Sequence, residues 1–418
     1  MTCSICGKEI VTGDGYIEGN NFFICSHCTA NIGKIWAESV GIETDRSKKT
    51  EETPDVTSLD EVKLLKPTEI KEHLDKYVIG QEDAKERVAV AVYNHYKRLL
   101  SKKIKSDSED DDVELEKSNM ILLGDSGSGK SYIVRTVSKL LDVPFATCDA
   151  TTLTEAGYVG DDVESVLVNL YHAAGKNVEK TEMGIVFIDE IDKIARKGDG
   201  PSITRDVSGE GVQQGLLKMI EGSKVGIPPN GGRKHPDQPL VYIDTSNILF
   251  ICAGAFEGIE RKIAKRLNRH AVGYNTVHKS IDESNLLSKV NSNDLRAFGL
   301  IPEIIGRLPI IAHTNKLTPE DLRRILTEPK NALVKQYVKL FDMDNIKLTF
   351  DEDALDEIVK HTLKNKTGAR GLRNVMEDVM TKAMYRLPST DEKEYNVTIQ
   401  EVKKAFYEQE EQDDDAAA

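Results

Sequence analysis

A strand-like run, NMILL at 119–123, passes straight into GDSGSGKS at 124–131, and the amphipathic stretch SYIVRTVSKLL follows at once. Strand, glycine-rich loop and helix in that order fit G-x-x-x-x-G-K-[ST] and admit few folds. The loop must curl its backbone N–H groups around phosphate oxygens at the N-terminus of a helix. The candidate nucleotide-binding residues are Gly124, Asp125, Ser126, Gly127, Ser128, Gly129, Lys130, Ser131 and Tyr132. Lys130 reaches the terminal phosphates, and the Ser131 hydroxyl is placed to ligate Mg²⁺.

A second run, IVFIDE at 185–190, ends a buried strand in two acids. Asp189 is suited to hold Mg²⁺ through water, and Glu190 to polarise the water that attacks a γ-phosphate. Glu190 favours ATP hydrolysis over a scaffold that only binds ATP. Short apolar runs recur at 120–123, 185–188, 248–252 and 308–312, more weakly at 144–148, with helical stretches between most of them. Continuous apolar strands alternating with helices predict an α/β fold with a parallel sheet buried on both faces. A helix is expected over 81–100, with acids at its start and bases at its end. The polar run at 101–118 reads as a solvated loop. Beyond Thr314 the pattern becomes that of a smaller, mainly helical domain.

The first residues carry a different signal. Cys3, Cys6, Cys25 and Cys28 form two C-x-x-C pairs. Two such knuckles supply the four-sulfur tetrahedron that zinc favours, and so few residues build no core without a metal. His27 reads as a bystander, and Cys148 and Cys252 as core thiols. The net charge of −14 and pI of about 5.3 argue against nonspecific nucleic-acid binding by the whole surface. No apolar run approaches the roughly 18 residues of a membrane span. The start, MTCSICGKEI, has no secretory pattern, so a cytoplasmic protein without membrane association is expected.

Two arginines stand apart. Arg307 lies in PEIIGRLP and Arg370 in TGARGL. Spacing alone leaves two readings for each: a surface ion pair, or positive charge brought to a transferring phosphate from outside the loop.

Taken in order, YVIGQEDAKERVAVAVYNHYKR, GDSGSGKS, EAGYVG, VFIDEIDKIARK, SITRDVSGEGVQQGLLKMIEG, GGRKHP, GLIPEIIGRLP and KTGARGLR follow an N-terminal four-cysteine module. This combination closely resembles the ClpX family of AAA+ unfoldases over nearly the whole chain, linkers and tail excepted. The resemblance implies a treble-cysteine-knuckle type zinc module at 1–40, a flexible linker at 41–63, an AAA+ large domain at 64–314, a small domain at 315–408 and a disordered acidic tail at 409–418. It implies a homohexamer with ATP between subunits and Mg²⁺ and Zn²⁺ as metals. Arg307 then acts on the neighbour's nucleotide, Arg370 senses nucleotide from the small domain, and Val78 and Ile79 line the adenine pocket.

The family's channel loops fall on Tyr158 and Val159 in EAGYVG, on Arg205 and Asp206 in SITRDVSGEG, and on Arg233, Lys234 and His235 in GGRKHP. The resemblance makes the first a grip on a threaded chain and the last a cationic ring for carboxylate-ended tags. An aromatic ring offers apolar area without reading sequence, on the order of 2 kcal/mol per grip. A folded domain is stable by about 5–15 kcal/mol, so several grips and repeated strokes are needed. Val272, Gly273 and Tyr274 stand where the family has an Ile-Gly-Phe-type tripeptide for docking on the ClpP peptidase. The tyrosine adds a hydroxyl that is costly to bury unpaired. The implied partners are ClpP, unfolded or tagged proteins and adaptors. The competing readings are a zinc-containing nucleic-acid motor or clamp-loader-like ATPase, and a noncatalytic ATP-bound scaffold.

Overall fold

Apolar runs too short to be core helices have one good solution, which is to pair as strands. The computed structural model describes residues 2–4, 6, 16–19, 22–25, 28, 64–103, 113, 115–154, 161–196, 209–232, 239–268, 283–365, 367–390 and 392–406. Residues Met1–Asp55 and Val56–Ala418 form two compact units. In the first, β1 (Tyr16–Gly19) and β2 (Phe22–Cys25) pair antiparallel, with Tyr16 opposite Cys25.

The second unit opens with α1 (Pro67–Asp75) and α2 (Glu82–Lys103). Next come β3 (Met120–Leu123), α3 (Lys130–Leu141) and β4 (Phe145–Asp149). The two-residue strands β5 (Leu153–Thr154) and β6 (Asp161–Asp162) pair in parallel and lead to α4 (Ser165–Ala173), α5 (Val178–Thr181) and β7 (Ile185–Asp189). Then α6 (Glu210–Glu221) precedes an antiparallel pair, β8 (Lys224–Ile227) and β9 (Val241–Asp244). The large domain closes with β10 (Leu249–Gly254), α7 (Ile259–Asn268), α8 (Ser292–Phe298), α9 (Pro302–Arg307) and β11 (Ile310–His313).

The main sheet is parallel, in the order β11-β3-β10-β7-β4. Alternation along each strand decides which layer a residue joins. Met120, Leu122, Ile185, Phe187, Leu249 and Ile251 pack with Leu74, Val88, Tyr96 and Ile133 from α1, α2 and α3. Ile121, Leu123, Val186, Ile188, Phe250 and Cys252 pack on the opposite face with Val166, Leu170, Leu216 and Ile304. Cys252 is therefore a core thiol, and burial pushes its pKa up to about 12. Cys148 is partly buried and is raised similarly.

One expectation fails in an informative way. The run at 101–118 does not end as a solvated loop. The Lys117 ammonium turns inward, donates to the carbonyls of Ile220 at 3.2 Å and Thr245 at 2.9 Å, and lies 4.6 Å from the Phe250 ring. The Ile220 carbonyl at the C-terminal end of α6, the Thr245 carbonyl in the turn after β9 and an aromatic face offer a cation more than the surrounding sequence suggests. Burial, then the nearby Arg98 charge, lowers the Lys117 pKa to about 7.

The small domain comprises α10 (Pro319–Thr327), α11 (Leu333–Met343), β12 (Lys347–Phe350), α12 (Glu352–Lys364), α13 (Ala369–Arg386) and β13 (Glu394–Val397). It has its own core, built from Leu322, Leu326, Phe341, Ile358, Leu372, Met376 and Met380. The sequence TPED starts α10: the Thr318 hydroxyl accepts the Asp321 N–H, and the Asp321 carboxylate accepts the Thr318 N–H. This reciprocal cap satisfies two N–H groups that the first turn leaves open. The domain is not wholly helical, since β12 and β13 pair in parallel. Among the described residues no helix is long and apolar enough to cross a membrane.

Candidate functional site

β3 delivers the chain into the phosphate loop, and α3 begins at Lys130. The loop is strapped from three sides. Gly124 donates its N–H to the Gly254 carbonyl at the end of β10. The Ser128 hydroxyl lies 2.7 Å from that of Thr314, just past β11. Gln81 donates from Nε2 to the carbonyls of Ser128 at 3.3 Å and Asn315 at 2.9 Å, and its Oε1 accepts the Asn315 N–H at 2.6 Å. Neither Gln81 nor Thr314 was expected from sequence.

The Lys130 ammonium donates to the loop carbonyls of Gly124 at 2.6 Å and Asp125 at 2.9 Å. Burial lowers its pKa, the Asp189 and Asp192 charges oppose that shift, and Arg370 adds to it. Glu190 adopts φ of 56°, and its N–H is held by Asp189 Oδ1 at 3.0 Å. A left-handed non-glycine residue costs about 1–3 kcal/mol, which the surrounding structure must offset.

The small domain meets the loop backbone to backbone. Ala369 donates its N–H to the Gly127 carbonyl at 3.2 Å. A Cβ on Gly127 would lie 2.5 Å from the Thr367 carbonyl oxygen, and one on Gly368 2.9 Å from that of Ser126. Only glycine at both positions permits this approach, and it sets the start of α13, with Arg370, against the phosphate loop.

These elements enclose a cleft of about 840 Å³. Ser126 through Tyr132, Asp189, Glu190, Arg370, Val78 and Ile79 line it. Gly124 and Asp125 are not among the residues that line it. Val78 and Ile79 are presented by the turn between α1 and α2. Buried Lys85 braces that turn through Glu82 at 2.8 Å, Asp75 and the Val78 carbonyl at 3.5 Å. Tyr77, Leu317, Ile325, Pro329 and Leu333 add apolar wall, and Arg373 and Asn374 join Arg370 from α13. The helical spacing of Arg370, Arg373 and Asn374 could have signalled the last two. Asp192, also in the wall, was missed although it stands in the IDEID run.

Arg307 does not enter this cleft. It is 55% exposed, and its guanidinium pairs with Glu221 at the end of α6, Nε at 3.2 Å and Nη2 at 3.1 Å from Oε1. Tyr158, Val159, Arg205, Asp206, Arg233, Lys234, His235, Val272, Gly273 and Tyr274 lie outside the described residues.

In the N-terminal unit the sulfurs of Cys3, Cys6 and Cys28 lie within 4.8 Å of one another. A tetrahedron with arms of about 2.3 Å separates its sulfurs by roughly 3.8 Å, so three thiols this close suit one zinc ion. Cys25 ends β2, and its side chain lies outside the described residues.

Residues 115–311 match the AAA domain (Cdc48 subfamily), and 317–400 match the C-terminal D2-small domain of ClpB protein. The chain is 54% identical over 399 residues to the ATP-dependent Clp protease ATP-binding subunit ClpX of Bacteroides fragilis, covering 95% of this chain and 93% of that one. The protein of that name from Bacteroides thetaiotaomicron is 54% identical over 399 residues, covering 95% and 94%. That from Porphyromonas gingivalis is 53% identical over 393 residues, covering 94% and 92%.

Proposed function

The chain belongs to the ClpX family of AAA+ ATPases, and from that premise we propose that it unfolds tagged proteins and threads them into the ClpP peptidase. One observation carries the reading: phosphate loop, acidic pair and small-domain arginine line a single cleft. An ATP held there touches both domains, so hydrolysis changes how they are held together.

The loop N–H groups and Lys130 bind the phosphates, while Val78 and Ile79 pack on the adenine. Ser131 and, through water, Asp189 would hold Mg²⁺, which would supply positive charge to neutralise and orient the terminal phosphate. Glu190 accepts the proton of the attacking water as the oxygen–phosphorus bond forms and the bond to the ADP oxygen breaks. Arg370 stabilises the charge from the small domain. Arg307, outside its own cleft, serves the neighbour's nucleotide in a hexameric ring. Tyr158 and Val159, with Arg205 and Asp206, grip the threaded chain, and Arg233, Lys234 and His235 attract tags. Val272, Gly273 and Tyr274 dock on ClpP. Zinc on Cys3, Cys6, Cys25 and Cys28 holds the N-terminal module together.

The test is the ATPase rate with an unstructured protein or with DNA added. Stimulation by protein, lost in Tyr158→Ala, supports the reading. Stimulation by DNA alone contradicts it.

A further inference from the structure

The tip of β10 carries no polar side chain. Its last residue and the next two are Gly254, Ala255 and Phe256. Yet this tip belongs to the nucleotide cleft. Ala255 lines the cleft with Glu190 and Lys130, and the Gly254 carbonyl accepts the N–H of Gly124 at 3.2 Å. Any side-chain contact that anchors the tip has to come from a neighbouring element.

It comes from Asp192, in the turn Ile191–Ile194 that follows β7. Asp192 is buried, and its Oδ1 accepts the Ala255 N–H at 3.2 Å. The fit is close. A Cβ on Gly254 would lie 2.5 Å from Asp192 Oδ1 and 2.8 Å from the Phe256 ring. Phe256 has φ of 52° and is fully buried, its ring 5.1 Å from that of Phe298 in an edge contact. Two left-handed residues, Glu190 and Phe256, thus flank the ends of one hydrogen bond. Strain of this kind persists only where the surroundings over-determine it.

We infer that Asp192 is a positioning residue for hydrolysis: it ties the turn bearing Glu190 to the tip of β10 and, through Gly254, to the phosphate loop. The water-activating carboxylate and the phosphate are thereby held in register. The inference rests on the ATPase reading above.

The test uses the full chain and measures kcat and KM for ATP, with Kd for a fluorescent nonhydrolysable ATP analogue. Asp192→Ala should lower kcat by about 10- to 100-fold, the usual effect of a small misplacement of reacting groups. KM and Kd should stay within about twofold, because the lost interaction acts on the chemical step. Asp192→Asn should restore most of kcat, since its amide oxygen can accept the same N–H. Gly254→Ala, which displaces the carboxylate while leaving it in the chain, should reproduce the kcat loss. An unchanged kcat in Asp192→Ala or Gly254→Ala overturns the inference. So does a rise in KM without loss of kcat, or an Asp192→Asn variant as slow as the alanine. Glu190→Gln sets the floor: a wild-type rate no higher than this floor overturns the ATPase reading, and the inference with it.

Discussion

Gln81 illustrates what a single residue does here. Three hydrogen bonds from one buried amide join the α1–α2 turn to the phosphate loop and to Asn315. Gln81→Ala leaves buried groups unpaired, which costs about 1–3 kcal/mol each. The expected outcome is a lower urea midpoint and a higher KM for ATP. Nothing near Gln81 in sequence announces this, because Asn315 is 234 positions away. Lys130 and Ser131 stand in one short run, GDSGSGKS, and Glu190 in another, IVFIDE, so their place in the cleft wall could be anticipated from local sequence. His95 makes a second prediction. It is fully buried near Asn247, its ring nitrogens close no hydrogen bond of normal geometry, and burial, then the Arg98 and Lys117 charges, lowers its pKa from 6.5 to about 3. Above pH 6.5 the ring is neutral in folded and unfolded chains alike, so its contribution to stability is complete there. Below that the unfolded chain binds a proton that the folded one refuses. Stability then falls by roughly 1.4 kcal/mol per pH unit until the folded pKa is reached. His95→Leu should flatten this slope in urea titrations between about pH 5 and pH 7.

Among elements, α13 is the one whose placement decides the site. Its start is seated on the phosphate loop by Gly127 and Gly368, and Gly368 sits at φ 60°, ψ −149°. That conformation is open to glycine and close to closed to other residues. Gly368→Ala should therefore destabilise the small domain's seat by about 1–3 kcal/mol and raise KM for ATP, as read by thermal melting and steady-state kinetics. The motif TGARGL showed the arginine but not why glycine precedes it, since the reason is a backbone contact with a loop far away in the chain. The central strands were legible because burial on both faces leaves continuous apolar runs. Pairs such as β12–β13 were not: Lys347, Thr349, Glu394 and Asn396 face solvent and alternate with Leu348, Phe350, Tyr395 and Val397, but four residues give only two periods to read.

At the scale of the whole molecule, the two units separate two kinds of stability. The unit Val56–Ala418 holds layered apolar cores, whereas the cysteine cluster lies in Met1–Asp55. Zinc binding in a small module is folding energy. A chelator should release one zinc per chain and remove hydrogen-exchange protection from the N-terminal unit, while ATP hydrolysis continues. The central claim is that hydrolysis in the cleft drives a polypeptide through a ring. One aromatic grip, on the order of 2 kcal/mol, cannot open a domain stable by about 5–15 kcal/mol, so the work must be repeated and fuelled. The direct measurement is degradation of a tagged, stably folded protein by this chain together with ClpP. The account requires ATP-dependent loss of the folded protein, abolished by Glu190→Gln and slowed by Tyr158→Ala. Survival of the folded protein with the wild-type chain hydrolysing ATP, or its loss unchanged in Glu190→Gln, would contradict it.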